Sequence, residues 1–201
     1  LIAPEEQVVT ISHHGYVKRI ALDTYRMQRR GGTGVVGMQH KDEDFVEHLF
    51  VANTHSYLLV FTDQGRVHWV KVYRLPEGSR QSKGRPIINI IGTNERVRAV
   101  LPVADFEEGR NIIMATKNGV VKKTTLAAYS RPRNGGIIAI NLDEDDDLID
   151  VAITDNKQKV LLATANGNAA RFDEKDARPI GRTARGVRGI KLRDKDYVVG
   201  M

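Results

Sequence analysis

Hydrophobic positions along this chain fall into short runs, and the runs return. Four segments share one pattern: an apolar run, a turn containing glycine, then an alternating run. They are TISHHGYVKRI, VFTDQGRVHWVKV, MATKNGVVKKTTL and LATANGNAARF. Their glycines, Gly15, Gly65, Gly119 and Gly167, lie 50, 54 and 48 residues apart. A second element keeps step with them: GVVGM, PIINI, GIIAI and GVRGI begin at Gly34, Pro86, Gly136 and Gly186, spaced 52, 50 and 50. A third, EHLFVAN, RAVLPVA and IDVAITD, lies between the two. Two landmarks holding one period identify an internal repeat.

The turns predict hairpins. Asn118-Gly119 and Asn166-Gly167 read as tight two-residue turns, which need positive φ at both central positions. Gln64-Gly65 and His14-Gly15 are weaker versions in which glycine still supplies the permissive position. In the second repeat Val67, Trp69 and Val72 are expected to face inward, and His68 and Lys71 outward. Each period then holds about four short strands, which are HLFVA, LLVFT, RVHWVKV and IINII in the second unit. Helix is scarce, with DEDFVEHL as at most one turn. Four strands per ~50 residues predict an all-β, propeller-like array of four-stranded antiparallel blades. About four blades fit in this chain, with residues 1–201 forming one repeat-built domain. No unit of this kind buries its face alone, so neighbours must stack. Leu1 in place of a start methionine, and the strand-like Tyr197-Val198-Val199 before Met201, read as a piece of a longer polypeptide.

Charge sharpens this picture. The formal net charge is +6 and the sequence pI is about 9.6, so polyanions are natural partners. The cations keep the phase of the repeat. Just before each GVVGM-type strand stand Arg29 and Arg30; Arg80, Lys83 and Arg85; Arg131 and Arg133; and Arg182, Arg185 and Arg188. A second group follows each turn glycine: Lys18 and Arg19; Lys71 and Arg74; Lys122 and Lys123; and Arg171. Acids hold another phase, at Asp42 to Asp44, Asp143 to Asp147, and Asp194 and Asp196, with only Glu95 in the second repeat. In a repeat array, one phase recurs on the same rim of every blade. The basic phase therefore predicts a positive track suited to a bent duplex, held through phosphates with counterion release.

Other chemistry finds little support. The chain has no cysteine, which excludes disulfides and thiolate metal sites. His13 and His14 sit at a turn without metal-ligand spacing, and the acids at 143–147 lack the spacing of a calcium loop. No nucleophile–base pair is apparent. Gly32 to Gly37 matches G-x-G-x-x-G, yet the helix and the later acid that a dinucleotide loop requires are missing.

One stretch carries a resemblance. QRRGGTG, Gln28 to Gly34, resembles the GyrA box, whose pattern is roughly Q-R-R-G-G-[K/R]-G, from the C-terminal domain of bacterial DNA gyrase A proteins. The likeness extends along the chain through HHGYVKRI, DFVEHLFVANTH, GRVHWVKVYRLP, GRPIINII, ATKNGVVKKT and TARGVRGIKL. It implies a β-pinwheel, in which strands are exchanged between adjacent blades. It also implies that duplex DNA wraps around the basic rim with positive handedness, so that strand passage introduces negative supercoils. Gln28, Arg29, Arg30, Gly31, Gly32 and Gly34 carry over as box residues. Thr33 does so by position only, because the family has a cation there. The same resemblance places the catalytic tyrosine in the N-terminal region of the gyrase A protein and ATP on the gyrase B protein. It implies no catalytic residue, cofactor or metal in this chain, and as partners double-stranded DNA and those two parts of the bacterial, cytoplasmic holoenzyme. A topoisomerase IV-type domain and an RCC1-like interaction scaffold are the alternatives.

Overall fold

A computed structural model describes residues 1–30 and 44–201. Its strands, in chain order, are β1 (Glu6–Ser12), β2 (Tyr16–Ala21), β3 (Val46–Asn53), β4 (Tyr57–Thr62), β5 (Arg66–Lys71), β6 (Arg85–Pro86), β7 (Val97–Val103) and β8 (Asn111–Thr116). They continue with β9 (Val120–Thr125), β10 (Ile137–Ile138), β11 (Leu148–Thr154), β12 (Lys159–Thr164), β13 (Ala169–Asp173), β14 (Val187–Arg188) and β15 (Val198–Gly200). Two α-helices, α1 (Leu22–Arg30) and α2 (Ile87–Ile91), and three single 3-10 turns complete the described elements. No helix among the described residues is long and apolar enough to cross a membrane.

The strands form four sheets, ordered β3-β1-β2-β6, β10-β5-β4-β7, β11-β8-β9-β14 and β13-β12-β15. Each of the first three joins one hairpin, the next strand longer than two residues (β3, β7 or β11), and a two-residue strand contributed by the next repeat (β6, β10 or β14). The four strands of one sequence period are thus shared between two sheets. Among the described residues β13 has no such closing strand.

The hairpin turns differ from the two-residue turns expected. The described positive-φ residues other than glycine are Asn156 and Lys195, so Asn118 and Asn166 do not take the left-handed conformation that such a turn requires. Each loop instead spans three residues and ends on a left-handed glycine whose N–H donates back to a Ser or Thr carbonyl, as Gly15 N does to Ser12 O at 2.9 Å. The hydroxyl of that Ser or Thr accepts the next strand's first N–H. Tyr16 donates to Ser12 Oγ at 3.1 Å, Arg66 to Thr62 Oγ1 at 3.3 Å, Val120 to Thr116 Oγ1 at 3.1 Å and Asn168 to Thr164 Oγ1 at 3.0 Å. The signature is S/T-x-x-G, repeated four times.

The acid phase serves these same turns. The backbone N–H before the turn glycine donates to a carboxylate: His14 to Asp44 Oδ1 at 3.0 Å, Asn118 to Asp146 Oδ1 at 2.9 Å and Asn166 to Asp196 Oδ1 at 3.0 Å. In the second repeat Glu95 accepts from Thr62 Oγ1 instead.

Two further expectations need correction. IINII is helix rather than strand. Pro86 has no N–H to extend a ladder, and Gly92, at φ 70°, closes the turn by donating to Ile88 O. DEDFVEHL is not helical over Val46–Leu49, where β3 runs. The helix lies earlier, in LDTYRMQRR. Leu22 and the run Arg26 to Arg30 are good helix formers, and the charges suit the helix ends, with Asp23 in its first turn and Arg29 and Arg30 in its last. It buries no residue, so no apolar stripe announces it.

The described residues divide into two compact units. The first comprises Leu1–Leu58, Val70–Asn94 and Pro102–Ala104. It holds the first sheet over a core that includes Val8, Val9, Ile11, Val17, Ile20, Val72, Leu75 and Ile87. The second comprises Leu59–Trp69, Glu95–Leu101 and Asp105–Met201. Within it Phe61 packs edge-on against Tyr129 with centroids 6.0 Å apart. Ile113, Ala115, Val121, Val160 and Leu162 form a cluster joined by Phe172 and Ile190. His68 is buried rather than outward-facing, because β5 is covered on both faces.

Candidate nucleic-acid interface

Each closing strand is preceded by a loop laid over the hairpin of the preceding repeat, and a glycine sets how closely it lies. Gly84, Gly136 and Gly186 all have positive φ, and a Cβ on each would meet Val17 O at 2.3 Å, the His68 ring at 2.7 Å and Val121 O at 2.6 Å. The phase residue in the second repeat is therefore Gly84, two positions before the Pro86 aligned from the sequence. Glycine is demanded here twice over, by backbone conformation and by contact.

The first basic group rides on these loops. In the first unit Arg80, Lys83 and Arg85 are exposed. Lys83 Nζ lies 4.3 Å from the centre of the Tyr16 ring, a cation–π contact. Arg80 Nη1 donates to Gln28 O at 3.3 Å, capping the end of α1. This contact joins two basic clusters that the sequence separates: Arg29 and Arg30 stand exposed in the last turn of that helix. Gly31, Gly32, Thr33 and Gly34 lie outside the described residues. In the second unit Arg131 and Arg133 are exposed, as are Arg185 and Arg188. Arg185 pairs with Asp143 at 2.8 Å, with both side chains largely in water. Arg182 is half-buried and donates to Ile138 O.

Four members of the second basic group, Lys18, Arg19, Lys122 and Lys123, do something else, which corrects their reading as rim charge, while Arg74 and Arg171 stay exposed. Lys122 and Lys123 are 1% and 2% exposed. Lys122 Nζ donates to Ala139 O and Arg182 O. Burial, with the neighbouring Arg182 charge, brings its pKa down to about 7. Lys123 Nζ donates to Asn156 Oδ1 at 2.9 Å and to Glu174 O at 3.1 Å, and stands 3.9 Å from the buried Glu174 carboxylate. Arg19, 14% exposed at its side chain, donates to Leu75 O, Tyr73 O, Gln7 Oε1 and Glu77 Oε1. Lys18 Nζ is likewise turned onto main-chain carbonyls, and desolvation lowers its pKa.

A rule invisible in the charge pattern explains Arg19 and Lys123. After three of the four turn glycines, Gly15, Gly65 and Gly119, the residue four positions on sends a donor to the 3-10 turn of the next repeat or its edge. Arg19 reaches Leu75 O, Trp69 Nε1 reaches Tyr129 O at 2.8 Å, and Lys123 reaches Glu174 O. Charge is incidental at that phase, and a hydrogen-bond donor is what recurs. Among the described residues no three His, Asp or Glu side chains are grouped as a metal set would need.

Each unit, taken by itself, therefore presents exposed loop cations that can meet a polyanion, the first also at the end of α1, while its buried cations are committed to the protein's own carbonyls and side chains. Known proteins share this architecture. A family described as "DNA gyrase C-terminal domain, beta-propeller" matches residues 6–53, 56–104, 110–155 and 158–201, one stretch per repeat. The DNA gyrase A protein of Salmonella typhimurium is 52% identical over 203 residues, covering all of this chain and 23% of that protein. The chain thus spans about a quarter of the length of the curated relatives it matches. A crystal structure of the C-terminal domain of DNA topoisomerase IV superposes with a TM-score of 0.85 at 34% identity, over 100% of this chain and 61% of that one. A structure of the DNA gyrase A C-terminal domain shares the fold with a TM-score of 0.67 at 24% identity, over 98% of this chain and 64% of that one. With one family match on each repeat and half its residues identical to a curated relative, the chain belongs to the DNA gyrase C-terminal domain family of β-propeller (β-pinwheel) proteins.

Proposed function

We propose that this chain binds duplex DNA through its loop-borne cations and bends it, as a non-catalytic wrapping module of a bacterial type II topoisomerase of the gyrase kind. The observation that carries this reading is the phase-locked exposure of Arg80, Lys83 and Arg85, of Arg131 and Arg133, and of Arg185 and Arg188, on loops held by glycine at fixed spacing. Contacts of this kind neutralise phosphates without reading bases. Bending 20–30 bp smoothly costs on the order of 1–6 kcal/mol, which several phosphate contacts offset. In this reading the partners are the rest of the gyrase A protein and the gyrase B protein. ATP and Mg²⁺ act elsewhere in the holoenzyme, and the work is done in the cytoplasm on the nucleoid.

The likeness to topoisomerase IV favours a second reading, a C-terminal DNA-binding domain of that enzyme. Curated gyrase A relatives reach about half identity where the topoisomerase IV structure reaches 34%, which weights the first. Duplex affinity across a series of salt concentrations tests the binding. Log K is expected to fall steeply with log salt, and a flat response sinks the proposal. Ligation of nicked circles in the presence of the protein tests the wrap. Positive writhe is expected for the gyrase reading, whereas binding without writhe leaves the topoisomerase IV-type alternative.

A further inference from the structure

The side chain three residues after a turn glycine meets the loop that the next repeat lays over the sheet. In the first unit this residue is Lys18. Its Nζ donates to Ser79 O at 2.9 Å, Arg80 O at 3.1 Å and Ser82 O at 2.7 Å. In the second unit, Lys122 occupies the same phase and holds Arg182 O. His68, at that phase in the second repeat, instead lies flat beneath Gly136. An ammonium carries three hydrogens. Lys18 spends all three on main-chain oxygens that would otherwise repel one another across a tight loop.

We propose that Lys18 is a positioning residue for DNA binding: it folds residues 79–84 around its ammonium so that Arg80, Lys83 and Arg85 face a phosphate backbone, and does not itself touch DNA. The rest of the loop fits this role. Ser79 N donates to Ser82 Oγ at 3.0 Å, and Ser82 Oγ donates to Ser79 O at 2.9 Å, closing the loop on itself. Gly84 pins its far end against Val17 O. Gly78 N donates to Arg19 O at 3.0 Å and fixes the near end. Between these two pins, Lys18 is the cation at the centre of curvature. This inference rests on the DNA-binding reading, and the two fail in different ways.

The test is a mutant cycle on duplex affinity, measured by titration of a labelled duplex at several salt concentrations. Lys18→Met keeps the apolar stem and removes the ammonium. Alone it is expected to weaken binding about tenfold, as loss of charge-assisted bonds releases the loop. In a background of Arg80→Ala, Lys83→Ala and Arg85→Ala it is expected to change affinity less than about twofold, because the groups it positions are gone. The same factor in both backgrounds would show that Lys18 meets phosphate directly, and overturns the proposal. So does an unchanged affinity for Lys18→Met alone. Ser82→Ala removes no charge and tests the loop at an exposed site. It is expected to weaken binding in the same direction, and no effect counts against positioning by the loop. Amide exchange of residues 79–84 separates the two hypotheses. If the parent chain shows no salt-dependent binding, the DNA reading fails, and exchange unchanged by Lys18→Met overturns the anchor as well.

Discussion

Lys122 shows how far the role of a lysine can depart from its place in a charge pattern. Its pKa of about 7 lies below the ordinary 10.5 because burial and Arg182 disfavour the charged form. Between those values the unfolded chain holds a proton that the folded chain does not, so folding stability rises with pH across that window. Thermal midpoints are expected to climb from pH 7 to pH 9, and Lys122→Met to flatten the climb. An unchanged slope in the variant would move the titration elsewhere. The Lys122-Lys123 pair was legible as cation but not as anchor. Alternation along β9 tells which face a side chain leaves from, and says nothing of what covers that face. The cover on Lys122 is Arg182, 60 residues later in the chain. Glu174 was opaque for the same reason: it fills a 3-10 position taken by Val72 and Leu126 in other repeats, and its partner Lys123 comes from the preceding one.

At the scale of the element, the hairpins were read at their places because glycine and strand alternation are local signals. The S/T-x-x-G form was also written in the sequence. Recognising it required weighing the Ser or Thr hydroxyl three residues before glycine along with the asparagine beside it. The acid phase supplies turn chemistry through Asp44, Asp146 and Asp196. Asp146, 7% exposed, accepts from Asn118 N and Asp147 N. Asp146→Ala is expected to cost about 1–2 kcal/mol, since two backbone N–H groups lose their acceptor; chemical denaturation checks it. For Asp44 and Asp196 some desolvation raises the pKa, and bonds to nearby backbone and side-chain donors outweigh it and hold the carboxyls below the ordinary 3.8. The stability they lend is present above that value and is lost as pH falls through their lower folded values. Asp44→Ala combined with Asp196→Ala should blunt the acid-side drop in thermal midpoint, and an unaltered acid limb would count against these turns as its source. The helices escaped the reading for opposite reasons: α1 buries nothing, and α2 is five residues of strand-forming type turned by Pro86 and Gly92.

At the scale of the whole molecule, the repeat and its all-β class were readable because the period is long and two landmarks keep it. The sharing of strands between sheets came through resemblance, since two-residue strands such as Arg85–Pro86 carry no pattern of their own. The candidate interface was half legible. Most loop-borne cations stand in solvent, while Lys18, Arg19, Lys122 and Lys123, and with them the half-buried Arg182, are turned onto the protein itself. The contact from Arg80 to Gln28 O puts the box arginines beside a second basic loop. Arg29→Ala with Arg30→Ala is therefore expected to reduce writhe in the nicked-circle assay more than Arg131→Ala with Arg133→Ala. Equal losses would make the box one more stretch of basic surface. The borrowed closing strand has a further consequence, in time. β2 ends at Ala21 and its neighbour β6 begins at Arg85; β9 ends at Thr125 and β14 begins at Val187. A ribosome adding about 5–20 residues per second leaves such a sheet unfinished for roughly 3–13 seconds. Throughout that interval the nascent chain presents an open strand edge to every neighbouring copy on the same message, and the two-residue strand that finally caps it arrives with the basic loop already in tow.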